Sequence, residues 1–220
     1  MSSPWLYALT VSPLGFYLWM LAIWHSERHP RVVDGSVDFA LLATGLGGLL
    51  VFGPAGQLAG RVLFGGNGPL ERLAVLALYG LVAWLSARRS FRRLVVYQVE
   101  PSVLSSALDD VLRGLDGTFQ PTLTGFEDRK GGRRLSLEFT PRLRSAVVEA
   151  FGPDAETLIR ALQPLLRQRL RQVEAGRSRL APALYGLSMF VMSAPMIGLL
   201  LTQPTAWAAL RALLERLTGV

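Results

Sequence analysis

His25-Ser-Glu-Arg-His29 is the one place in this chain where ligand-type side chains crowd together. On a continuing helix, His25 and His29 stand one turn apart on a shared face, the spacing a metal pair needs. Glu27, with Asp34 and Asp38 a few residues on, supplies carboxylates for general acid–base work beside them. Two departures weaken that chemistry. The zinc-protease signature sets its Glu directly after the first His, whereas Ser26 intervenes here and Pro30 ends the helix. The chain also holds 2 histidines in all, too few for a multi-histidine centre. The plainer reading is a solvated loop at headgroup level. His25 and His29 remain the metal candidates, but neither a metal nor any other cofactor is expected.

Asp34-Gly35 and Asp38 resemble part of the acidic motif of membrane phosphoalcohol transferases, but the remaining acids of that motif are missing from the apolar run that follows. The second group of chemically capable residues is arginine. Arg88, Arg89, Arg92 and Arg93 form one cluster, and Arg167, Arg169, Arg171, Arg177 and Arg179 form another. The block from Arg88 to Arg179 holds 17 basic and 11 acidic residues and so carries +6 of the formal +7. Arginine at the edge of an apolar segment serves topology and attracts anionic lipid. These nine arginines are therefore the expected contacts for phospholipid headgroups or for an acidic protein partner. Basic patches interleaved with aromatics are absent, and nucleic acid is not expected as a partner.

The elements that must position these groups follow from hydropathy. Half of the 220 residues are hydrophobic, and the mean hydropathy is +0.34. The apolar residues are gathered into blocks long enough to cross a bilayer. Four spans are expected: Trp5 to Trp24, Phe39 to about Gly56, Leu70 to Ala87, and Ala181 to Leu201. Trp5 and Tyr7 at one end of the first, with Tyr17, Trp19 and Trp24 toward the other, match two interfacial aromatic belts. The N-terminus lacks a positive n-region, so the first segment is expected to be retained. Gly45, Gly47, Gly48 and Gly53 make the second span a close-packing helix. Ala55 to Phe64 either continues that span or lies in the interface. Tyr185, Met189, Met192 and Met196 form a packing stripe on the fourth. Pro204 to Leu217 is patterned as an amphipathic interfacial helix. With no cysteine, disulfides, thiol chemistry and cysteine-held metals are excluded.

Between the third and fourth spans the period changes. Leu94 to Glu100 is β-branched and aromatic, hence a strand. A helix follows from Ser102, with an apolar stripe from Val103 to Leu115 and a stop at Gly117. Thr118 to Phe126 is expected as an edge strand carrying Pro121, and Glu127 to Gly132 as a turn. Arg134 to Thr140 alternates as a half-solvated strand, and Leu143 to Phe151 is another. The last helix starts after Asp154, carries Leu158, Ile159, Leu162, Leu166 and Leu170 on one face, and kinks at Pro164.

The expected fold is thus a membrane all-α protein of four transmembrane helices with an inserted small α+β domain, β-α-β-β-β-α. Residues 1–88 form a three-helix membrane region, 89–179 the domain, and 180–220 the fourth span with the terminal helix. Counting Lys and Arg near the span ends puts 89–179 in the cytoplasm and both termini outside. The domain shows no catalytic constellation, and no charge falls at mid-depth in a span. The functional expectation is a non-enzymatic scaffold or accessory subunit whose domain binds a protein partner or self-associates. The alternative is a membrane-interface enzyme acting on a lipid or small molecule through His25, Glu27, His29, Asp34 and Asp38.

Overall fold

The computed structural model describes residues 4–66, 68–115, 118–128, 131–176 and 178–202. Arg177, Gly117 and the Pro204 to Leu217 segment lie outside these. The chain divides into two compact units. One comprises Met1–Trp19, Thr44–Tyr79 and Tyr185–Val220; the other comprises Met20–Ala43 and Gly80–Leu184.

The second unit is built on a six-stranded, wholly antiparallel sheet, ordered β1-β2-β6-β5-β4-β3. The strands are β1 (Arg31–Asp34), β2 (Arg93–Tyr97), β3 (Phe119–Thr122), β4 (Gly125–Asp128), β5 (Arg133–Thr140) and β6 (Ser145–Phe151). Two amphipathic helices, α5 (Pro101–Leu115) and α6 (Ala155–Leu170), cover one face. Their stripes (Leu104, Leu108 and Leu112; Ile159, Leu162 and Leu166) meet Leu94, Val96, Val148 and Leu135 in a core essentially closed to solvent. Pro164 lies on the exposed side of α6, away from that core.

The opposite face of β2 is buried as well. Val95 and Tyr97 pack with Val33 against Trp24, Leu21 and Met20 from the end of α1 (Pro4–Ser26). A strand buried on both faces reads as a continuous apolar run rather than an alternation, which is the pattern of Leu94 to Tyr97.

This overturns the expected four-span architecture. The chain is a mixed α+β fold with seven α-helices among the described residues, and two helical segments are long and apolar enough to cross a membrane. These are Gly35–Phe52 and Pro69–Ser90. The described apolar stretch of α7 (Leu180–Thr202) is the shorter Leu180–Ala194. The last turns of α1 bury Ala22, Trp24 and His25 inside the sheet unit, so part of that apolar run is protein core rather than lipid contact. With two spans, placing both termini outside no longer follows from counting.

The order β-α-β-β-β-α is corrected too. Thr118 to Phe126 is two strands, because the chain reverses at Leu123-Thr124 and Gly125 takes φ +151°. The supposed loop before the second span supplies β1, paired through Val33↔Val95. Asp34 then caps α2 (Gly35–Gly47): its Oδ1 accepts from the Ser36 backbone N–H at 2.8 Å and hydroxyl at 2.6 Å.

In the first unit α2 runs into a π-helical turn, Gly48–Phe52, and the chain breaks at Gly53. α3 (Pro54–Phe64) is therefore a separate helix of 11 residues, too short to cross a bilayer. Gly45 lies under Tyr17 and Gly47 under Tyr79 of α4 (Pro69–Ser90), so the glycines do seat neighbouring helices. Gly15 of α1 lies against Met192 of α7, and the buried Ser188 hydroxyl donates to the Gly15 carbonyl at 2.8 Å.

Candidate functional site

α4 ends and β2 begins within three residues, and that turn is where the first arginine cluster falls. Arg88 and Arg89 occupy the last turn of α4, and Arg93 opens β2. The Arg92 backbone N–H donates to the Arg89 carbonyl at 3.2 Å, and the Arg92 carbonyl accepts from the Ala150 N–H at 2.9 Å. The turn is thereby held against the end of β6.

The result is a cleft of ≈390 Å³ lined by Arg88, Arg89, Arg92, Arg93, Glu149, Ala150 and Phe151. Arg93 and Glu149 are register partners and form an ion pair at 2.9 Å. The Arg88 guanidinium stacks 3.8 Å over the Trp84 ring. Arg88, Arg89 and Arg92 are exposed, and none of them pairs with an acid among the described residues. Three guanidiniums without a carboxylate partner around one cleft have the chemistry to hold phosphate-like oxyanions through forked N–H pairs.

The cleft lies where both candidate spans begin or end. Gly35, the first residue of one, packs against Ser90, the last of the other: a Cβ on Gly35 would sit 2.8 Å from the Ser90 carbonyl oxygen. Glycine is what lets the two ends meet so closely.

The described members of the second arginine cluster do not line this cleft. Arg167 donates to the Val32 carbonyl at 3.3 Å, and Arg169 pairs with Asp110 at 2.6 Å and reaches Gln172 at 3.2 Å. Arg171 and Arg179 are exposed.

The His25 to Asp38 set is split among separate jobs. Glu27 pairs with Arg31 at 2.8 Å, His29 Nδ1 lies 3.1 Å from the Val173 carbonyl, and Asp34 caps its own helix. Two members do converge, on a residue that the sequence did not single out. His25 meets the Tyr97 ring edge-on, with centroids 5.5 Å apart, and the Tyr97 hydroxyl donates to Asp38 at 2.7 Å. His25 is buried and its Nδ1 has no hydrogen-bond partner. Burial, reinforced by the Arg144 guanidinium, holds its imidazole below the ordinary pKa. This is a packed aromatic–imidazole contact beneath the sheet. No three of the described His, Asp and Glu residues are grouped to hold a metal ion.

Sequence reasoning missed Glu149 and Phe151 as walls of the cleft, because strand register alone brings them to Arg93. Comparison with family models, with curated proteins and with solved structures gives no match.

Proposed function

We propose that this is an integral membrane protein of scaffold type whose α+β domain rests at the cytoplasmic face and engages anionic phospholipid headgroups through the arginine cleft. One observation carries the reading: Arg88, Arg89, Arg92 and Arg93 surround a single cleft at the end of Pro69–Ser90, a helix apolar enough to span a membrane. A membrane-crossing α4 would bring those arginines to headgroup depth, where snorkelling guanidiniums meet phosphate. Gly35 beside Ser90 supports entry of both spans from the domain's side, and clustered arginine at span ends favours the cytoplasmic side. The domain's interaction role then depends on the lipid that its cleft holds. Tying a folded module to one leaflet in a defined orientation is what a scaffold needs.

Arg89 and Arg92 test the reading cleanly, being exposed and outside the core. Full-length protein in nanodiscs of phosphatidylcholine with added phosphatidylglycerol should retain the anionic lipid on extraction, as read by native mass spectrometry. At about 1 kcal/mol per arginine near an anionic surface, Arg89→Gln/Arg92→Gln should weaken that retention roughly thirtyfold. Equal retention of both lipids, or an unaffected double variant, would sink the headgroup role. Sidedness has its own check: Ser136→Cys should resist a membrane-impermeant thiol reagent applied outside intact cells, and its labelling would refute the cytoplasmic placement.

A further inference from the structure

His25 is one of 2 histidines in the chain and the one that the fold buries. It stands in the last turn of α1, which lies on the sheet face opposite α5 and α6, with Trp24 among Val33, Val95 and Tyr97. The His25 ring is 3% exposed and meets Tyr97 edge-on. Its Nδ1 is closed to solvent and has no hydrogen-bond partner among the described residues. A neutral imidazole tolerates that arrangement, because it can leave Nδ1 bare and carry its one proton on Nε2. An imidazolium cannot. Both nitrogens then bear protons, and the Nδ1–H becomes a charged donor buried with nothing to accept it.

The charges around the ring offer no relief. Among the described residues no carboxylate forms an ion pair with His25. The acids on β1, β6 and α2, which pack with the end of α1, are engaged elsewhere. Asp38 of α2 accepts the Tyr97 hydroxyl at 2.7 Å, and Asp34 of β1 accepts from Ser36. Glu149 of β6 pairs with Arg93 of β2, and Glu27 pairs with Arg31 of β1. The charge that does bear on His25 is the Arg144 guanidinium, which has the same sign as an imidazolium. Arg144 donates to the Gly176 carbonyl at 3.2 Å and lies 3.6 Å from Glu100.

We infer that the end of α1 is a pH-sensitive clasp, docked on the sheet while His25 is neutral and released when His25 takes up a proton. On release the ring reaches water, and the imidazolium escapes both its burial and the Arg144 repulsion. The docked state excludes the proton, so its advantage is full above the ordinary imidazole pKa of 6.5 and shrinks as the pH falls below that value. Histidine alone among unperturbed side chains changes charge across this range. Release uncovers Val33, Val95 and Tyr97, so acidification turns a core face into an exposed apolar one.

The chain has no cysteine, so Ala22→Cys, at a 0% exposed position in the docked segment, gives a single thiol that reports release. In full-length protein in detergent, its labelling rate with a maleimide is divided by that of the same thiol in a His25→Phe background at each pH, which cancels the reagent's own pH dependence. Phe keeps a ring against Tyr97 and cannot take a proton. From pH 7.5 to 5.5 the ratio should rise about tenfold, the limit for one imidazole that titrates normally once released. His25→Gln, also uncharged, should match His25→Phe. His29→Gln, at an exposed position, should keep the response. A constant ratio would overturn the clasp, whether the turn stays shut at pH 5.5 or opens through another group such as Asp38. Loss of the response in His29→Gln would overturn it as well.

Discussion

Replacing Trp24 with alanine should lower folding stability by about 3–5 kcal/mol, the usual loss for a large aromatic removed from a core. Trp24 is 4% exposed, its ring lies 5.2 Å from that of Tyr97, and Val33 and Val95 complete its surroundings. Tyr97 is in turn fixed by its hydroxyl on Asp38. Truncation therefore opens a cavity beneath the β1–β2 side of the sheet and releases the end of α1. Trp19 on the same helix is 43% exposed, and Trp19→Ala should change stability by no more than about 1 kcal/mol. Thermal unfolding of both variants in detergent makes the comparison. Two residues acting as one headgroup belt would respond alike. Equal losses would return α1 to the expectation of a membrane span.

Gly125→Ala should destabilise by roughly 2–5 kcal/mol, joining backbone strain to a steric clash. The glycine has φ +151°, and a Cβ there would overlap the Leu135 carbonyl oxygen of the neighbouring strand. Gly114, inside α5, has open space where its Cβ would stand, so Gly114→Ala should instead stabilise by up to about 1 kcal/mol. Denaturant titration of the two variants gives opposite signs if the β3–β4 hairpin turns where described. A harmless Gly125→Ala would instead favour the single strand expected from Thr118 to Phe126.

The parts of this fold that could be read without coordinates are those in which one element carries its own period. The stripes of α5 and α6 recur every three to four residues, and Leu104, Leu108, Leu162 and Leu166 are buried as that spacing requires. In β5, Leu135 is fully buried and Arg134 exposed, in keeping with the start of its alternation, although Leu137 and Phe139 are only partly covered. The arginine clusters were equally plain as clusters. What they do was not, since Arg89 and Arg92 wall a cleft while Arg167 and Arg169 bond to the domain's own carbonyl and carboxylate groups.

Hydropathy therefore determined which segments avoid water, and periodicity determined which face of each domain helix does so. Whether an apolar helix hides from water in lipid or against a sheet was decided by tertiary contact alone, because both environments reward the same side chains. Trp24 could be a belt residue or a core residue on composition, and Tyr97 and Val95 made it core. The same holds for chemistry. His25, Tyr97 and Asp38 meet through sheet and helix packing across a sequence separation of 59 between the last two, and the left-handed residues Gln98 and Arg144 face each other only because β2 and β6 pair up to Tyr97 and Ser145. Such pairings depend on strand order and register, which no local pattern encodes.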